Sequence, residues 1–83
     1  MTTEERDSCM SLIRESLPHI RAHFGDVPVH VDESDDGETL YAVVRWKGKA
    51  SDASSRLSLF EEGWWLNQMR RAGARVVFTY ELI

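Results

Sequence analysis

The sequence predicts an α+β domain in which two helices pack on one face of a three-stranded, mainly antiparallel sheet. Apolar residues recur every three to four positions in two segments and alternate with polar residues in three others. These segments follow one another in the order α-β-β-α-β. With 83 residues, the chain is expected to form a single small domain, residues 1–83, with a modest core.

The first segment has the clearest helical periodicity. Its apolar residues alternate spacings of three and four, and they are Met10, Ile13, Leu17, Ile20 and Phe24. We expect a helix over about residues 3–24, capped at Thr2 or Thr3 and stopped at Gly25. Pro18 cannot donate a backbone hydrogen bond, which predicts a kink or the start of a second short helix there.

Two alternating segments on either side of Asp36-Gly37 predict a β-hairpin. A two-residue turn at Asp36-Gly37 pairs Val31 with Ala42, Val29 with Val44 and Val27 with Trp46, and a four-residue Ser34 to Gly37 loop preserves the same parity. Pro28 has no amide hydrogen, so it must face away from a partner strand or lie at the frayed end.

Residues from about 52 to 72 are predicted to form one helix that bends or rolls near Gly63. An alternative makes residues 56–60 a short strand and begins the helix at Glu61. We prefer the single helix. The β-branched and aromatic residues of the last segment, ARVVFTYELI, predict a third strand.

A helix between the second and third strands implies a crossover, so the third strand runs parallel to the second in direction. We expect it to lie beside the first strand and antiparallel to it. Both helices then cover one face of the sheet and leave the other face open. We place on that open face His30, Asp32, Tyr41, Val43 and Arg45, with Val77, Thr79, Glu81 and Ile83 or the alternate set from Val76.

The adjacent tryptophans Trp64 and Trp65 cannot both occupy the centre of one helical stripe, because neighbouring side chains diverge by about 100°. Either both close the core, or one is an exposed anchor beside Arg70 and Arg71. In one arrangement Trp64 faces the sheet and Trp65 lies on the flank, and in the other the two exchange roles. The candidate partner-binding residues are Trp65, Arg70, Arg71, Tyr41 and Val43.

Metal and cofactor signals are weak. His19 and His23 are four residues apart and share a helix face, which makes them weak candidates for metal ligands. Ile20 follows the first histidine where a zinc hydrolase helix needs glutamate. The alternative is a pair of surface histidines beside the apolar stripe. We therefore predict neither a bound metal nor a cofactor.

Three functional classes remain open. We favour a non-enzymatic protein-binding or regulatory module, because no catalytic motif stands out. A second hypothesis is a small enzyme or ligand-binding domain whose site forms at a dimer interface around His30, Asp32, Tyr41 and Arg45. The third is nucleic-acid binding through the segment RWKGK together with Arg70, Arg71 and Arg75.

Composition bounds the partners and the compartment. The net charge of −4 works against general attraction to nucleic acid or anionic lipid. A single cysteine, an acidic N-terminal segment and the lack of a long apolar run predict a cytoplasmic protein with no membrane contact. The apolar last strand must either be central in the sheet, or its edge or the open face must pair with a second copy. Because the open face also carries Tyr41, Val43 and Val77 or its neighbours, we predict a homodimer that is buried partly through the sheet.

Overall fold

The chain begins with a long helix, α1. We describe residues 1–72 and 75–83 of a computed structural model, and the side chains of Arg71 and Ala72 lie outside that description. The elements are α1 (Thr3–Phe24), β1 (Val29–Glu33), β2 (Leu40–Trp46), α2 (Ala50–Phe60), a π-helical turn (Glu61–Trp65), α3 (Leu66–Ala72) and β3 (Val76–Leu82). Two helical segments and a three-stranded mixed sheet make this an α+β fold, which confirms the predicted class.

Helix α1 has the bounds that its periodicity predicts. Thr2 caps it, since the Thr2 hydroxyl accepts a hydrogen bond from the Glu5 amide while the Glu5 carboxylate accepts one from the Thr2 amide. Gly25 ends the helix with a φ of 80°, a conformation that glycine adopts without strain. The helix continues through Pro18, so no second helix begins there.

The β1–β2 hairpin has the predicted register. Val31 lies opposite Ala42 and Val29 opposite Val44, in an antiparallel pairing. The turn closes with a hydrogen bond from the Gly37 amide to the Ser34 carbonyl, and Gly37 has a φ of 71°. Pro28 precedes β1, where its carbonyl accepts a hydrogen bond from the Arg45 amide and no donor is needed from its own nitrogen.

The second helical segment is continuous from α2 to α3, which rules out the alternative strand over residues 56–60. Its centre, Glu61–Trp65, is a π-helical turn around Gly63, near the position where a bend or roll was expected. The Leu66 amide donates to the Glu61 carbonyl five residues earlier, which is the π-helical pattern. The segment therefore gains one residue in this turn and changes which side chains face the sheet.

The position of β3 differs from the prediction. The sheet order is β1-β2-β3, so β2 is central and β3 pairs with β2 in parallel. The direction of β3 was predicted correctly, but its place beside β1 was wrong. Placing β3 next to β2 brings Phe78 opposite Ala42 and under the second helical segment, where it meets Phe60 and Trp65.

A single cluster of buried side chains joins the helices to one face of the sheet. Helix α1 contributes Cys9, Leu12, Ile13, Ile20 and Phe24, the second helical segment contributes Phe60 and Trp65, and the strands contribute Leu40, Ala42, Val44, Val76 and Phe78. Met10 and Leu17, which the sequence placed in the stripe, lie at its margin. Phe24 packs edge-on against Trp46, with ring centroids 5.7 Å apart.

Candidate protein-interaction surface

The face of the sheet opposite this core carries most of the residues that the sequence assigned to it. Strand register sets Asp32, Tyr41 and Val77 side by side in one row across the sheet, and His30, Val43 and Thr79 in the next row. Arg45 and Glu81 follow in the third row. We call these eight residues the open face and the opposite side, which joins the core cluster, the covered face.

The centre of the open face is apolar. Val43 lies between His30 and Thr79 on the neighbouring strands and is buried, although no core residue covers it. Tyr41 and Val77 lie beside it and are 36% and 40% exposed. On this face, Tyr41 and Val77 therefore leave apolar surface available for a partner, and Val43 between the flanking strands leaves little.

Two polar pairs flank this apolar centre. His30 Nε2 lies 2.8 Å from Asp32 Oδ1 on β1, and Arg45 Nε lies 3.6 Å from Glu81 Oε2 between β2 and β3. All four side chains are about half exposed. Exposed pairs of this kind stabilise a fold by only about 0–1 kcal/mol, so these polar groups can also interact with a partner.

The four residues of the enzyme hypothesis do share this face. Asp32 lies directly opposite Tyr41, and His30 bonds Asp32, whereas Arg45 lies further along β2 and faces Glu81. The His30 and Asp32 side chains are 55% and 59% exposed. In a single copy of the chain these side chains therefore form an exposed polar surface, and the site at a dimer interface stays a prediction.

The tryptophan pair adopts the second of the two predicted arrangements. Trp65 is in the core with 4% exposure, and its ring meets Phe78 at 4.6 Å. Trp64 is half-buried and stacks on His19, with ring centroids 4.6 Å apart. The indole of Trp65 is consequently not an exposed anchor. In a π turn residues five apart share a face, so Phe60 and Trp65 both point into the core.

The remaining candidates lie away from the open face. Arg70 is exposed on α3, and the side chain of Arg71 lies outside the described residues. The ring of His19 stacks on Trp64, and His23 lies one turn further along α1. Across the described part of the chain, no group of three histidine, cysteine or acidic side chains could hold a metal ion.

Two of the basic residues expected to contact nucleic acid, Arg45 and Arg75, lie beside acidic side chains. Arg75 binds Glu5 at 3.1 Å and Glu38 at 2.9 Å. The guanidinium of Arg56, which the sequence did not single out, lies 4.9 Å from the centre of the Trp46 ring. Lys47 and Lys49 are exposed beyond β2. A phosphate backbone would have to displace the carboxylates from Arg75.

The ion network around Arg75 is the polar feature that the sequence did not reveal. Hydrogen bonds from the Thr2 hydroxyl and amide lower the pKa of Glu5. The Met1 amino group, bonded to Glu38 at 2.6 Å, lowers the pKa of that carboxyl. These residues are distant in sequence and meet only because α1 begins beside the start of β2 and β3, so no local pattern could predict them.

Two titratable groups outside this network have pKa values that are raised. Burial raises the pKa of the Cys9 thiol, which disfavours the reactive thiolate. Burial likewise raises the pKa of Glu61 in the π-helical turn. Neither group belongs to the open face, so the chemistry of that face depends on the half-exposed polar pairs described above.

Comparison with known proteins gives no information about the function of this chain. Neither a protein-family model, nor a curated protein sequence, nor a solved structure matches this chain. Within the described residues, no helix has both the length and the apolar character needed to cross a lipid bilayer. Any functional inference must therefore come from the geometry of the exposed groups.

Proposed function

We propose that this domain is a protein-binding module that contacts its partner through the open face. The observation that carries the proposal is the pair Tyr41 and Val77, two exposed apolar side chains side by side on the face opposite the core. Tyrosine is enriched in protein interfaces because it combines a large apolar ring with a hydroxyl group. Both residues lie on ordered strands and have at most two side-chain torsions that position the apolar group, so little conformational entropy is lost on binding.

The distribution of charge supports a protein partner over nucleic acid. Arg45, the basic residue of the open face, lies beside Glu81, and the His30 ring lies beside Asp32. An apolar centre with a mixed-charge rim is the usual composition of a protein interface. A nucleic-acid surface would instead need a continuous row of unpaired basic side chains. The net charge of −4 also disfavours binding to nucleic acid.

The dimensions of the face suggest a weak or transient contact. Three strands spaced about 4.8 Å apart and up to seven residues long present a footprint of roughly 300 Å². A stable interface of standard size covers about 800 Å² on each partner. One open face can therefore accommodate one helix or loop of a partner, with a modest affinity.

Matched variants test this proposal. The wild-type protein is immobilised and exposed to lysate of its native cell, in parallel with Tyr41→Ser and Leu66→Ser. Leu66 is 56% exposed on α3, so its replacement removes a similarly exposed apolar group from outside the open face. We expect a captured protein to lose at least about tenfold in affinity for Tyr41→Ser and to retain binding to Leu66→Ser.

The same partner, once purified, allows the contact to be mapped by amide chemical shifts. We expect the largest changes at residues 41, 43 and 77. Equal binding of both variants, or shifts confined to α3, would show that the open face is not the binding surface.

A further inference from the structure

The outer edge of β3 presents backbone groups that no strand of the described chain satisfies. The Arg75 carbonyl accepts from the Leu40 amide, and the Ile83 amide donates to the Trp46 carbonyl. Backbone groups of alternate residues point to the same side of a strand, so the odd-numbered residues of β3 bond β2. The even-numbered residues Val76, Phe78, Tyr80 and Leu82 point outward, and their four donors and four acceptors face away from β2, the described strand that pairs with β3.

The two edges of the sheet are protected very differently. The β1 edge begins after Pro28 and carries three charged or titratable residues among five, His30, Asp32 and Glu33. Edge strands are commonly blocked in this way by proline and charge. Strand β3 has the sequence VVFTYEL, with Glu81 as its single charged residue. The β3 edge is thus the one suited to receive another strand.

We propose that β3 pairs with β3 of a second copy of the chain, antiparallel across a twofold axis, to form one six-stranded sheet. In such a pair, outward-pointing residues must face one another, so even-numbered residues lie opposite even-numbered ones. The register that places Phe78 opposite Phe78 also places Arg75 opposite Glu81, twice by symmetry. These are the two residues with charged side chains in 75–83, so no other register pairs opposite side-chain charges.

Both charged groups have capacity for this contact. Arg75 uses two of its nitrogen atoms on Glu5 and Glu38, and a guanidinium group carries five N–H donors. The Glu81 side chain is 51% exposed, and its neighbour Arg45 is 3.6 Å away, beyond the distance of a strong hydrogen bond. The charges therefore select the register, while the backbone groups supply the pairing.

Additional apolar surface lies on the element that packs on β3. Helix α2 in this segment contacts β3 and carries the exposed side chain of Leu59. A stable interface buries about 1,200–2,000 Å² in total. A pair of strand edges alone buries less, so a stable dimer also needs apolar surface of this kind. Edge pairing also joins the two open faces into one surface of roughly 600 Å², twice the footprint of one copy.

Sedimentation equilibrium of the intact chain at micromolar concentration provides the first test. We expect two chains, 2 × 9.6 kDa, in wild-type protein. Arg75→Glu and Glu81→Arg each set like charges against each other at both ends, and we expect the dissociation constant of each variant to rise at least about tenfold. Circular dichroism establishes that each variant remains folded.

Mixing the two variants tests the register. The Arg75→Glu chain is acidic at both positions 75 and 81, whereas the Glu81→Arg chain is basic at both. A mixed dimer therefore regains opposite charges at each end of the paired strands. We expect the mixture to form dimers as tightly as the wild-type protein. Tyr41→Lys, which alters the open face away from the β3 edge, should leave the wild-type mass unchanged.

Four results would overturn the proposal. A wild-type mass of 9.6 kDa would show that the edge is not paired by a second copy. Dimers that persist in both charge variants, or that fail to re-form in the mixture, would exclude this register. Loss of the dimer in Tyr41→Lys would place the self-contact on the open face instead. None of these results depends on whether the open face also binds another protein.

Discussion

The two faces of the sheet use the same strands and differ in almost every physical property. On the covered face, residues Leu40, Ala42, Val44, Val76 and Phe78 are at most 6% exposed. On the open face, their immediate neighbours Tyr41 and Val77 are more than one-third exposed. Because successive side chains point to opposite sides of a strand, a shift of one residue separates a core position from a contact position. Stability and binding can therefore be altered separately.

The largest expected difference is between Phe78→Ala and its neighbour Val77→Ala. Phe78 packs edge-on against Phe60 and Trp65, and its truncation should lower the free energy of unfolding by about 3–5 kcal/mol. Val77 lies on the open face, so its truncation should cost below about 0.5 kcal/mol. Urea unfolding measures both values. Equal costs would mean that the assignment of the two faces is incorrect.

A smaller loss of stability is expected from a substitution at Gly48, beside Trp46 at the end of the covered face. Gly48 has a φ of 144°, and a Cβ atom added there would lie 2.8 Å from Trp46 Nε1. The Trp46 Nε1 atom is buried and has no hydrogen-bond partner among the described atoms, so no hydrogen bond favours a displaced position of the indole. Gly48→Ala should therefore destabilise the fold by about 1–3 kcal/mol in thermal or urea unfolding.

Gly63→Ala is the matched control for that substitution. Its added Cβ would lie 3.9 Å from His23 Nε2, an ordinary contact, and the residue is helical. Alanine at a helical position is favoured over glycine by up to about 1 kcal/mol, so this variant should be neutral or more stable. A loss of stability at residue 63 but not at residue 48 would contradict the packing described for Trp46.

The smallest expected effect is a loss of stability at low pH, where the carboxylates of the ion network around Arg75 become protonated. The pKa values of Glu5 and Glu38 are lower in the folded chain than in the unfolded one. Their contribution to stability is therefore present above the unfolded pKa, about 4.3, and is lost as the pH falls through the folded values. We expect unfolding midpoints to decrease below about pH 4.

Glu38→Gln should flatten this part of the pH profile, because an amide does not titrate there. The double variant Glu5→Gln/Glu38→Gln should flatten it further, whereas Asp7→Asn on the exposed side of α1 should leave the profile unchanged. An unchanged profile in the double variant would show that Arg75 gains nothing from these two carboxylates.

The two faces were largely predictable from the sequence, since side-chain alternation is a local property. The turn at Asp36-Gly37 and the alternating valines predicted the pairing of Val31 with Ala42 that the hairpin has. The same parity places Tyr41, Val43 and Val77 on the open face. What alternation could not predict is how far each residue is exposed, since Val43 is 8% exposed and Tyr41, on the same strand and face, is 36% exposed.

The sequence by itself determined the bounds of α1, the hairpin register and the direction of β3, because caps, turns and alternation act over a few residues. Tertiary structure alone decided the neighbour of β3 and the choice between the two tryptophans. Strand order depends on how both helical segments share the covered face, where Phe78 must meet Phe60 and Trp65. The π-helical turn brings Trp65 into that contact and leaves Trp64 against His19, a choice that only long-range packing can make.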